Sequence, residues 1–103
     1  VYVLTSRFEG LSMAMLEAIS CGLPLVAFSC PCGPRDVVED GVNGYLVENG
    51  NVKMLAERLI SIMKSPEMLR KMGRAAEEKS KEYQIECLAI KWKQLFESIC
   101  NTR

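Results

Sequence analysis

Val1-Tyr2-Val3-Leu4-Thr5, then Ser12-Met13-Ala14-Met15-Leu16-Glu17-Ala18-Ile19-Ser20-Cys21-Gly22, then Leu23-Pro24-Leu25-Val26-Ala27-Phe28, is the stretch that decides the fold. The outer runs, residues 1–5 and 23–28, are apolar and rich in β-branched side chains, and each reads as a strand buried on two faces. Between them Ser12 is suited to cap a helix over residues 13–21, and Gly22 is placed to end it in the left-handed conformation. Strand, loop, helix and strand make a βαβ unit, which implies a parallel sheet.

Working outward, residues 29–33 are rich in turn formers, and Pro34 suits the first position of a short helix through Glu39. Gly41 and Gly44 punctuate a tight connection into a third strand, Gly44-Tyr45-Leu46-Val47. Asn51 then caps a helix whose Leu55, Leu59, Ile62 and Met63 share a face. Ser65-Pro66-Glu67 restarts the chain as a helix bearing Met68, Leu69 and Met72. Leu88, Trp92, Leu95 and Ile99 line one side of a last helix, most simply as core packing. The expected fold class is α/β: a partial, Rossmann-like, three-layer parallel sheet with a helical C-terminal tail. Residues 1–50 form its βαβ core and residues 51–103 its C-terminal helices.

With 103 residues, the chain is long enough for one modest core but short for an enzyme that holds two substrates. Its 13 Lys+Arg balance 13 Asp+Glu, so composition offers no footprint for nucleic acid or an anionic membrane. No apolar run approaches the roughly 20 residues of a transmembrane segment. The chain opens in an apparent buried strand, without a polar lead-in, and so reads as part of a longer protein. Cys21, Cys30, Cys32, Cys87 and Cys100 are an odd, scattered set that argues against a disulfide framework and for a reducing cytoplasm. Cys30-Pro31-Cys32 supplies only two thiolates in a chain with no histidine, whereas a tetrahedral zinc site uses four ligands, so no metal is expected.

The helix after the first strand is small or apolar at almost every position and reads as buried nearly all round, yet Glu17 sits in its middle. A buried carboxylate needs hydrogen-bond donors, which ligand hydroxyls supply as well as protein groups do. Glu9 lies eight residues earlier in the loop leading into the same helix, so both carboxylates look into one crevice. Between them the backbone of Gly10, Leu11, Ser12 and Met13 presents N–H groups at the positive end of the helix dipole, an anion site suited to a pyrophosphate. The crevice lies at the carboxyl end of a parallel strand, where open α/β sheets bind ligands. The plainer reading is that Ser12 only caps, Glu9 is solvated and Glu17 pairs with a Lys or Arg. Arg7 and Arg35 are the basic residues nearest the crevice, as phosphate contacts or as ordinary surface charges.

Thr5-Ser6-Arg7-Phe8-Glu9-Gly10-Leu11-Ser12, Leu16-Glu17-Ala18 and Cys21-Gly22-Leu23-Pro24-Leu25-Val26 together resemble the E-x7-E region of retaining glycosyltransferases of family 4, which have the GT-B fold. Gly33-Pro34-Arg35-Asp36 and Glu39-Asp40-Gly41-Val42-Asn43-Gly44-Tyr45-Leu46-Val47 resemble that family's next segment in the same order. The resemblance is dense to Val47 and continues beyond it only as helix pattern. It implies that residues 1–103 are a partial nucleotide-sugar-binding domain. Glu17 then accepts hydrogen bonds from the ribose hydroxyls, Glu9 is the catalytic residue near the donor sugar, and the backbone of Gly10, Leu11, Ser12 and Met13 holds the diphosphate.

The implied reaction transfers a sugar with retention by a front-face route in which the departing phosphate helps deprotonate the acceptor. The implied donor is a UDP-sugar, with no cofactor, and the implied acceptor is a sugar or lipid-linked molecule in polysaccharide or glycolipid assembly. The setting is cytoplasmic, with the full-length enzyme peripheral at the inner membrane face. The family's diphosphate-neutralising basic residues and its acceptor-binding N-terminal domain correspond to sequence upstream of Val1, so these residues alone are expected to be inactive. The family's last helix often crosses to that partner domain, which would leave an apolar stripe uncovered here. Asp36 stands where the family more often has Glu, and Leu11 where Phe is frequent. A non-catalytic binding or assembly domain of the same fold is the alternative reading.

Overall fold

The computed structural model describes residues 1–6, 13–30 and 33–101. Three short strands, β1 (Tyr2–Leu4), β2 (Leu25–Phe28) and β3 (Gly44–Val47), form one parallel sheet in the order β1-β2-β3. The register pairs Tyr2 with Leu25 and Leu25 with Gly44. With β2 in the middle, all four of its residues are buried, as its apolar run requires. The first strand departs from the expectation. Among the described residues it is the edge of the sheet, and with these residues alone Val3 is exposed.

Helix α1 (Met13–Ser20) connects β1 to β2, and its C-terminus follows the glycine signal in detail. Gly22 has φ 76°, its N–H donates to the Ile19 carbonyl, and Leu23 N–H donates back to Ala18. Those two bonds close the helix by satisfying carbonyls that would otherwise lack partners. The short α2 (Pro34–Val37) follows β2, and α3 (Val52–Met63) follows β3. Asn51 accepts from Met54 N–H at 3.0 Å to start α3, and Ser65 accepts from Met68 N–H at 3.2 Å to start α4 (Pro66–Ser80). Asn51 is the cap the sequence singles out, and Ser65 opens the restart it marks before Pro66.

The core has two parts, one on each side of the sheet. Met15, Ala18 and Ile19 of α1 pack with Leu25, Val37, Val38 and Ala76. On the other side Val26, Phe28 and Val47 pack with Leu55 and Ile62 of α3 and Met72 of α4. Met63 is exposed, because its position carries it past the edge of the stripe formed by Leu55 and Ile62. A short 3-10 turn, Lys81–Tyr83, leads into α5 (Ile85–Asn101). That helix has no buried residue, and Leu88, Trp92, Leu95 and Ile99 are all exposed. Its apolar stripe therefore does not join the core formed by the described residues.

Candidate functional site

In a parallel sheet every connection leaves from the same end, so the residues that follow the strands collect at the carboxyl edge. The segments that follow β1 and β2 leave from that edge side by side, because the two strands are paired. They are also joined from below, since Met15 and Ile19 of α1 share a cluster with Val37 and Val38. Glu9, Gly10, Leu11 and Ser12 lie outside the described residues, as do Arg7 and Cys32. Of the residues assigned to the site, Met13 and Glu17 are described.

Their setting corrects one expectation. Helix α1 is buried along one face only: Met15, Ala18 and Ile19 face the core, while Met13, Ala14, Glu17 and Ser20 are exposed. The sheet and α4 cover one side of the helix. Positions 13, 17 and 20 recur at helical spacing on the other, so even an apolar sequence there reaches solvent. Glu17 is thus not a buried charge in search of donors. Its carboxylate is solvated and accessible, one turn beyond Met13 at the helix start. Among the described residues no hydrogen bond or ion pair engages this carboxylate, so an exposed group at this place can accept hydrogen bonds from a ligand.

On the neighbouring strand, Ser29 N–H donates to the Val47 carbonyl at 2.7 Å and so ties the ends of β2 and β3 together. Arg35 reaches the same residue, with Nε on Ser29 Oγ and Nη2 on the Ser29 carbonyl, each at 3.0 Å. Sequence reasoning places Arg35 near the crevice but has no means to foresee this two-point attachment. Cys30, two residues past β2, is fully buried. The described residues hold no cluster of three or more His, Cys, Asp or Glu able to take a metal ion. Among them no helix is long and apolar enough to cross a membrane.

The segment Glu39-Asp40-Gly41-Val42-Asn43-Gly44 has a structural role away from this edge. Asn43 is buried, accepts from Glu39 N–H at 2.7 Å and donates to the Val37 carbonyl at 3.0 Å. Asp40 accepts from Leu46 N–H at 3.0 Å. These bonds shape the turn that delivers Gly44 against the start of β2.

The family described as Glycosyl transferases group 1 matches residues 1–79. The chain belongs to the group 1 glycosyl transferases. It is 37% identical over 97 residues to the poly(ribitol-phosphate) alpha-N-acetylglucosaminyltransferase of Staphylococcus aureus, covering 93% of this chain and 20% of that protein. Over 50 residues, 48% of this chain and 14% of the relative, it is 44% identical to a lipopolysaccharide 1,6-galactosyltransferase of Escherichia coli.

Among solved structures, S. aureus TarM in complex with UDP superposes with a TM-score of 0.82 at 35% identity, over 92% of this chain and 20% of that one. The pneumococcal O-GlcNAc transferase GtfA, in complex with UDP and GlcNAc, gives 0.82 at 27% identity over 97% of this chain and 21% of that one. The mixed α/β architecture with its three parallel strands matches the C-terminal domains of GT-B glycosyltransferases. This group 1 chain spans about a fifth of the length of the S. aureus relative and of the two solved structures.

Proposed function

We propose that this chain forms the donor-binding part of a larger enzyme that transfers a sugar, with retention, from a nucleotide-sugar to an acceptor. The family match over residues 1–79 carries the reading. Relatives whose names specify N-acetylglucosaminyl, glucosyl and galactosyl transfer support it. The donor is a UDP-sugar, a choice supported by UDP in the solved TarM and GtfA complexes. The acceptor belongs to polysaccharide or glycolipid assembly, in keeping with the polyol-phosphate and lipopolysaccharide acceptors named for the relatives. The work is done in the cytoplasm, with the whole enzyme peripheral at the inner membrane face.

In this reading Glu17 accepts the ribose hydroxyls, for which its exposure on α1 suits it. The backbone of Gly10, Leu11, Ser12 and Met13 takes the diphosphate at the positive end of α1, and Glu9 faces the donor sugar. Transfer builds negative charge on the departing diphosphate, so donors already fixed in the protein lower the barrier. The acceptor-binding half lies in the rest of the polypeptide. The uncovered stripe of Leu88, Trp92, Leu95 and Ile99 supplies an apolar surface for it to pack against.

The test is Glu17→Ala in the full-length enzyme, with sugar transfer and thermal unfolding measured together. Loss of transfer by about 100-fold or more, with unfolding unchanged, is the expected result, since charge-assisted bonds to two hydroxyls vanish while an exposed side chain contributes little to folding. Full activity in that variant would sink the assignment.

A further inference from the structure

An arginine on a surface ordinarily moves through many rotamers, and its charge is worth little at any one point. Arg35 is exposed but differs in its attachment. Its Nε and Nη2 both bond to Ser29, one to the side chain and one to the carbonyl, which fixes the guanidinium plane against the end of β2. Ser29 is itself held to β3 through the Val47 carbonyl. A guanidinium carries five N–H groups; Ser29 accounts for two, and among the described residues no acceptor meets the other three. The group is anchored at the carboxyl edge of the sheet, on the strand paired with the one that leads into α1.

A planar fork with part of its donor set committed and part in hand suits phosphate oxygens, because phosphate matches guanidinium geometry and rewards a fixed orientation. We infer that Arg35, held in place by Ser29, binds a phosphate of the nucleotide donor and makes the site select a nucleoside diphosphate over the bare nucleoside. The inference rests on the donor-binding reading above and adds to it a cation supplied by the described residues. Arg35 is then a ligand-contacting residue and Ser29 a positioning residue that acts through it.

The experiment is equilibrium titration of the full-length protein with UDP and, separately, with uridine, for wild type, Arg35→Ala, Arg35→Lys and Ser29→Ala. Arg35→Ala is expected to weaken UDP about 10-fold, the worth of one charge-assisted contact, and to leave uridine unchanged. Arg35→Lys keeps the charge but loses the two-point attachment, and should recover only part of the loss. Ser29→Ala should weaken UDP about 3-fold, again without touching uridine. UDP affinity unaltered by Arg35→Ala overturns the inference. So does an equal loss for UDP and uridine, which would mean that the arginine only shapes the loop. Absence of UDP binding by the wild-type protein would instead strike down the donor reading, and this inference with it.

Discussion

The two ends of the sheet are built from different materials. At the amino end, backbone meets backbone. The Gly22 carbonyl lies where a Cβ on Gly73 of α4 would sit, 2.5 Å away, and Gly44 lies directly against the backbone of Leu25. Asn43 and Pro24 are buried there as well. At the carboxyl end Cys30 and Pro34 are buried, but Glu17, Arg35 and the start of α1 are accessible. At Gly44 and Gly73 the amino end leaves no room for even a methyl group, whereas the carboxyl end leaves its hydrogen-bonding groups within reach of a ligand. The fold thus takes its rigidity at one edge and presents its chemistry at the other, the arrangement by which parallel α/β sheets separate stability from binding.

Substitutions at the two ends should therefore separate cleanly, and the largest effect belongs to Gly44. A Cβ at that position meets the carbonyl oxygen, carbonyl carbon and nitrogen of Leu25, so β2 and β3 must move apart to admit it. Gly44→Ala is expected to cost about 3 kcal/mol or more in urea unfolding. Gly41→Ala serves as the control: no atom lies within 4 Å of its Cβ, and φ 82° alone should cost about 1 kcal/mol. Equal losses at the two glycines would remove close packing as the explanation. Glu17→Ala, at the opposite end, should show the reverse pattern, with transfer lost and unfolding unchanged.

Asn43→Ala should fall between these glycine effects. It strips a partner from the Glu39 N–H and from the Val37 carbonyl, and a buried polar group left unpaired costs on the order of 1–3 kcal/mol. A loss of about 2 kcal/mol is expected. Gly73→Ala is close behind, at roughly 1–2 kcal/mol, because overpacking against Gly22 outweighs the better helix propensity of alanine. A stabilised Gly73→Ala protein would show that α4 has room to shift at this crossing and would blur the contrast between the two ends.

These same residues show what a sequence discloses. The three strands, the Gly22 helix stop and the caps at Asn51 and Ser65 are local features, each written in one residue and its neighbours, and the structure forms all of them. Burial is not local. Helix α1 is apolar enough to suggest enclosure on every side, yet its exposed face depends on what lies opposite, which its own residues do not encode. The stripe on α5 reads as core by the same periodicity, yet none of its residues is buried among the described ones. Asn43 carries no signal of its buried pair of bonds, and Arg35 none of its hold on Ser29, because both bonds depend on how the chain returns after β2. Of the candidate site, the spacing of Glu9 and Glu17 was legible, while the accessibility of Glu17 required the fold.

The smallest effect tests how firmly the carboxyl edge is tied to the C-terminal helices. Tyr83, at the turn before α5, packs against the α1 side of the core, and its hydroxyl donates to the Asp36 carbonyl at 3.5 Å. Burial pushes its phenol above the usual tyrosine range, and Glu82 and Asp36 push the same way against an opposing Lys79. The folded state therefore prefers the neutral phenol more than the unfolded chain does. This contribution is fully present below about pH 10, where unfolded tyrosine begins to ionise, and is lost as pH rises through the folded value. Lys79, raised mainly by its bond to Glu82, titrates in the same alkaline region and remains in a Tyr83→Phe protein. Comparing the two proteins removes the phenol together with its coupling to Lys79: Tyr83→Phe should be slightly less stable at neutral pH, having lost one long hydrogen bond, and the gap should close as pH passes 10. A gap that stays constant to pH 11 would mean that Tyr83 ionises alike in both states. The turn before α5 would then be too loosely packed to connect that helix to α2 and the edge that carries Arg35.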